Sequence, residues 1–252
     1  MRLVTNCRNT NIQVDLHALR NNASLLRSNL PAHVHIMAVV KANAYGHGIV
    51  QAARAFLAGG ADWLAVALAE EGIQLREHGI TAPILVLTPL NKIGFVEAAR
   101  HGLTVSLHSI ESLFTAQEAA REAGVLDIHL VADTGLNRDG FQSIEDWERA
   151  VNLLRGHPFL HLTGAFTHFA EGENEDESFT RHQLQQFLER VALLPPGLLL
   201  HSSSSAAMLH FPDMHLHMVR PGITLYGYPP YTTPLSFQPA LSFVTEITAL
   251  RK

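Results

Sequence analysis

Along the chain, short runs of apolar and β-branched residues alternate with longer stretches whose apolar positions recur at helical spacing. The runs are HVHIMAVV (33–40), WLAVA (63–67), ILVL (84–87), LTVSL (103–107), DIHLVA (127–132), LTGAFT (162–167), LLLHS (198–202) and HLHMVR (215–220). Most are continuous rather than alternating, as expected of parallel strands buried on both faces. Between them, Val50, Ala53, Phe56 and Leu57, or Leu184, Phe187, Leu188 and Val191, lay one apolar stripe along a helix. Gly59-Gly60, Gly79, Gly102 and Gly124 stand where such helices should stop, because a helix end favours a residue free to turn left-handed. A further helix is predicted over 14–30, ahead of the first run. Repeated strand–helix units make this an α/β chain and predict a (β/α)₈ barrel, the TIM barrel.

Composition narrows the setting. At 252 residues, 47% hydrophobic and 16% charged, the chain carries enough apolar surface for a large core and too little charge for disorder. Its net charge of −5, with no basic stripe, argues against a nucleic-acid partner. No apolar stretch reaches the length of a membrane span, since Asp62 interrupts one run and Pro195-Pro196 another. The single cysteine, Cys7, and a start without a signal-like apolar segment predict a reducing, cytoplasmic setting.

In such a barrel reactive groups sit at the C-terminal ends of strands, so the residues just after each run are the candidates. Lys41 ends the first run and opens KANAYGHG, which places an amine able to form an imine at the rim. Arg220 ends the last run and leads into Pro221, Gly222 and Ile223. A glycine there lets backbone N–H groups turn outward as an anion nest, and ITLYG could open a short helix. Ser202 to Ser205 add hydroxyls after the seventh run, so the loops after strands seven and eight form a phosphate corner. An imine-forming lysine together with a phosphate corner suggests pyridoxal 5′-phosphate (PLP). The acidic segment 171–177 is read as a solvated loop before a helix rather than as a cation site.

AVVKANAYGHG (38–48), DTGLNRDG (133–140), THFA (167–170), HSSSSAA (201–207) and VRPGITLYG (219–227), in this order and spacing, resemble the alanine racemase family of fold-type III PLP enzymes. The resemblance runs over about residues 12–250 and implies PLP-dependent interconversion of L- and D-alanine, supplying D-alanine for cell-wall peptides. It implies that Lys41 carries the cofactor as a Schiff base and exchanges a proton with one face of Cα. It likewise implies that Tyr45, Ser205 and the backbone of Gly222 and Ile223 bind the phosphate, with Ser204 standing where an asparagine is usual. Arg220 then faces the pyridine nitrogen with His168 as its neighbour, and Arg138 lies near the substrate carboxylate. In that family a C-terminal β-domain, contributed by the other subunit of a homodimer, supplies a tyrosine as the second base. Residues 1–238 are accordingly expected to be the barrel, and 239–252 only the opening of that second domain, which is otherwise largely absent. Val131 replaces a lysine, often carbamylated, that orients the arginine matched by Arg138.

Two other readings compete. A non-catalytic, single-domain PLP-binding protein of the same barrel type has about this length, but its lysine context resembles VSKTKP rather than VVKANAYGHG. A metal centre is suggested by His33 and His35, and by His215 and His217, since alternate strand residues share a face. Both pairs precede the rim, and no HExxH or Cys/His cluster accompanies them, so no metal site is predicted.

Overall fold

The computed structural model describes residues 10–251; Cys7 and the start of the chain, on which the redox and leader expectations rest, lie outside the described residues. In chain order the elements are β1 (Asn11–Val14), α1 (Leu16–Asn29), β2 (His35–Val39), a short turn (Lys41–Tyr45), α2 (Ile49–Ala58), β3 (Trp63–Val66), α3 (Ala69–Glu77), β4 (Ile84–Val86) and α4 (Lys92–Arg100). Then come β5 (Thr104–Leu107), α5 (Ile110–Ala123), β6 (Leu126–Val131), α6 (Ile144–Leu154), β7 (Leu160–Phe166), α7 (Ser178–Val191), β8 (Leu199–His201), α8 (Ser205–His210), β9 (Met218–Val219) and β10 (Leu241–Val244). Single 3₁₀ turns cover Pro212–Met214 and Ile223–Tyr226.

Strands β2 to β9 pair in order, all parallel, and β9 returns to β2 to close a TIM barrel. The continuous runs are buried on both sides for the reason their pattern implied. Ile36, Ala38, Val40, Leu64, Val66, Ile128 and Leu130 pack with the helices, while Met37, Val39, Ala65, Leu85, Val131, Phe166 and Met218 form a separate cluster. Helix starts follow the side chains able to accept free N–H groups. Asp15 accepts from the amides of His17 and Ala18 before α1, Asn91 from Gly94 before α4, and Ser109 and Ser112 reciprocate before α5. Gly79 and Gly102 take left-handed φ of 79° and 59° just past α3 and α4.

Two expectations change. The helix predicted from residue 14 starts at Leu16, because 11–14 is a strand paired antiparallel with β10, from Asn11 opposite Val244 to Val14 opposite Leu241. The run 215–220 yields a strand of only two residues. Upstream of it, His215 Nε2 meets the Met208 carbonyl at 2.8 Å and the Met214 carbonyl accepts both the Ser202 and Ser203 hydroxyls, so this stretch ties down a loop.

Candidate functional site

A cavity of about 820 Å³ opens at the C-terminal ends of the barrel strands, and all nine residues singled out from the sequence line it. Lys41, Tyr45, Arg138, His168, Ser204, Ser205, Arg220, Gly222 and Ile223 thus converge from five stretches of chain.

Lys41 enters by an unusual backbone. Ala42, Asn43, Ala44 and Tyr45 all have φ between 51° and 55°, the left-handed region, at a cost of about 1–2 kcal/mol for each such residue. The surroundings hold the turn: Glu71 of α3 accepts the Ala42 amide at 2.6 Å, and the Asn43 side chain accepts the Ile49 amide at 2.9 Å. Gly46 and Gly48, at φ of 88° and 87°, complete a reversal that a side chain would oppose. Strain held by its neighbours at a strand end is a mark of a functional position.

Arg220 is 4% exposed and its guanidinium donates four times: to His201 Nδ1 (2.7 Å), to the carbonyls of Thr167 (2.8 Å) and Ser202 (3.0 Å), and to His168 Nδ1 (3.3 Å). Burial, then the charge of Arg138, pushes its pKa down to about 9, still above neutrality, so the cation persists. None of these partners is a carboxylate. Burial chiefly, with Arg220 next, pushes the pKa of His168 down to about 3, and His201 falls well below the ordinary histidine value for the same causes. A neutral His168 whose Nδ1 accepts from arginine carries its proton on Nε2.

The phosphate corner is more internally bonded than expected. Ser205 Oγ accepts the amides of Gly222 (2.9 Å) and Thr224 (3.3 Å), so these N–H groups point at a hydroxyl and not into open space. With its lone pairs engaged, Ser205 has its own O–H left to donate. Residues 223–226 form a 3₁₀ turn, close to the short helix predicted. Gly222 is required by close approach: a Cβ there would lie 2.7 Å from the Tyr45 hydroxyl. Burial raises the Tyr45 pKa, keeping that hydroxyl a donor, and its ring packs 4.9 Å from that of Tyr226, whose own hydroxyl donates to the Val39 carbonyl.

Arg138 sits on the loop after β6, its side chain 63% exposed and 3.6 Å from Asp139. Asp133 shapes that loop by accepting the amides of Gly135 and Asn137. Val131 is buried in the barrel cluster. The acidic segment 171–177 is a largely exposed loop whose side chains are bonded locally: Asn174 donates to Glu171, and Glu177 accepts from Arg181 of α7. Among the described residues no group of three or more His, Cys, Asp or Glu converges as metal ligands. His215 and His217 are engaged with the Met208 carbonyl and the Leu200 amide. Sequence reasoning missed His201, His129 and Glu71. For the two histidines the signal was present, as a polar residue inside an otherwise apolar strand run.

Residues 14–230 match the family described as "Alanine racemase, N-terminal domain". The chain is 38% identical to alanine racemase 1 of Bacillus subtilis, covering 97% of this chain and 65% of that protein, and 42% identical to alanine racemase of Geobacillus stearothermophilus, covering 88% and 58%. The crystal structure of alanine racemase from Bacillus anthracis with bound L-Ala-P is similar at a TM-score of 0.89 and 34% identity, over 95% of this chain and 64% of that one. Alanine racemase of Clostridium difficile in complex with cycloserine gives 0.91 and 31%, over 98% and 71%. The chain therefore spans roughly three fifths to two thirds of the length of the curated relatives it matches.

Proposed function

Since the chain belongs to the alanine racemase family through the N-terminal domain, we propose that it is the barrel of a PLP-dependent racemase whose substrate is alanine. The observation that carries this reading is the convergence of Lys41, Arg138 and Arg220 in one cavity, with Arg220 buried among neutral partners. Three cationic side chains favour a ligand bearing several negative groups, and a phosphate ester joined to an amino-acid carboxylate is such a ligand. The donor set fits PLP: a primary amine for the aldehyde carbon, two hydroxyl donors at Tyr45 and Ser205, and a fixed cation at Arg220 for the ring nitrogen.

When bound, PLP supplies the electron sink that makes an amino-acid Cα–H acidic. Lys41 is the attachment point and the group that takes or returns the proton at Cα on its own face. Tyr45, Ser204, Ser205 and the backbone N–H of Ile223 hold the phosphate, and the Gly222 amide acts through Ser205 Oγ, to which it donates. Arg220 keeps its proton and would donate a hydrogen bond to the ring nitrogen of the bound cofactor rather than protonate it. His168, neutral, steadies Arg220, and Arg138 takes the substrate carboxylate. Racemisation needs a second acid/base on the opposite face, which we assign to a tyrosine of a C-terminal β-domain on the other subunit of a homodimer. Residues 239–252 are read as the opening of that domain. Support comes from the ribbon of β1 and β10, which stands outside the barrel sheet and leaves Phe243 72% exposed, with Ile247 just after it 84% exposed.

Borohydride treatment of the PLP-saturated chain should fix a pyridoxyl group on Lys41, found by peptide mass, and none in Lys41→Ala; no adduct in wild type overturns the cofactor assignment. Exchange of the alanine Cα–H in D₂O then separates a racemase barrel from a PLP-binding protein without catalysis, which would show the adduct and no exchange.

A further inference from the structure

Below Arg220 a line of buried polar side chains descends the barrel. Arg220 Nη1 lies 2.7 Å from His201 Nδ1, and His201 Nε2 lies 2.8 Å from His129 Nδ1. Both imidazoles are fully buried. Each is framed by aromatic rings, His201 stacked on Phe166 at 4.8 Å and His129 tilted against Trp63 at 5.7 Å.

The direction of this chain follows from its first member. Arginine only donates, so His201 Nδ1 must accept and its proton must sit on Nε2. That proton can then be given only to His129 Nδ1, which places the His129 proton on Nε2. His129 Nε2 has no hydrogen-bond partner among the described residues. It abuts Gly164, where a Cβ would lie 2.5 Å away. A buried donor left unpaired is costly, and a leucine or phenylalanine would fill the place without that cost. What the histidine offers, and those residues do not, is an acceptor for His201.

We propose that His129 is a positioning residue of the site: by accepting the Nε2 proton of His201, it fixes the tautomer whose Nδ1 receives Arg220 and so holds the guanidinium at the cavity floor. The hydrogen-bond chain stands without a cofactor; only its bearing on the ring nitrogen rests on the reading in the preceding subsection.

The test uses the 252-residue chain labelled with ¹⁵N-histidine, without added PLP, and reads ring tautomers by long-range ¹H–¹⁵N correlation at neutral pH. His201 is expected to be protonated on Nε2 alone. In His129→Leu its Nε2 proton should shift and exchange with solvent about tenfold faster, the loss expected for one buried hydrogen bond. His129→Asn, which keeps an acceptor near the Nδ1 position, should stay near wild type. A wild-type His201 protonated on Nδ1 or on both nitrogens overturns the proposal, and so does a His201 signal unchanged in His129→Leu or equally disturbed in both variants. The wild-type measurement decides even where His129→Leu fails to fold. Because no cofactor is present, a failed adduct on Lys41 leaves this result standing, and the reverse also holds.

Discussion

Acid should unfold this chain earlier than its modest charge suggests. Burial is the main cause that pushes the pKa of His108 down to about 4 and those of His129 and His168 down to about 3. In the unfolded chain each returns to about 6.5. Between those values the unfolded state binds protons that the folded state refuses, so stability is whole above about pH 6.5 and is lost as pH falls. At pH 5 each histidine has cost about 2 kcal/mol, being 1.5 pH units below its unfolded pKa, and the three together about 6 kcal/mol. His201 shifts the same way and adds to this loss. Against a typical total of about 5–15 kcal/mol, most of the stability should be gone near pH 5. Urea unfolding of the cofactor-free chain, followed by circular dichroism from pH 7.5 to 5 at fixed ionic strength, should show a midpoint falling steeply, with an uptake of at least about three protons on unfolding. His108→Leu removes a ring with neither nitrogen partnered among the described residues and should lower that uptake by one. A midpoint flat across this range, or an uptake below one proton, would refute the assignment of neutral buried histidines.

Three further outcomes are expected. Gly164→Ala drives a Cβ to within 2.5 Å of the His129 ring and should cost about 1–3 kcal/mol in urea unfolding, with part of the loss recovered when His129→Ala is added. Asn22→Ala removes bonds to the Leu225 and Gln238 carbonyls and the Gln238 amide, at 2.8–3.0 Å, and should cost about 3 kcal/mol by the same assay. Ser205→Ala strips the acceptor from two amides and a donor from the cavity. It should weaken PLP about tenfold in an absorbance titration while leaving pyridoxal, which lacks the phosphate, nearly unchanged.

Much of this molecule is legible in its sequence because a barrel strand buried on both faces must be apolar throughout, so each run announces itself. The residue ending the run falls at the rim, which is how Lys41 and Arg220 are found without coordinates. What stays hidden depends on partners distant in sequence. The strand at 11–14 is too short and too mixed to be read until β10 is placed beside it. The left-handed turn after Lys41 contains two alanines that prefer right-handed helix, and only the Glu71 and Asn43 bonds explain its hand. The run at 215–220 overstates its strand because local patterning cannot show that Met214 is claimed by two serine hydroxyls.

The clasp made by Asn22 bears on how the chain is assembled. Its bond to the Gln238 amide joins residues 216 positions apart, and α1 therefore seats against a segment synthesised long after it. Joining such distant points carries a loop-closure entropy that grows only slowly with length but must be met before the contact returns anything. During synthesis α1 can already pack on α2, with Ala23 against Gly59, but its seat against Leu225 and Gln238 and barrel closure through β9 both come late. The final seating of the first helix is thereby tied to the segment that follows β9, so that α1 is locked in place only once the cavity-forming loops exist.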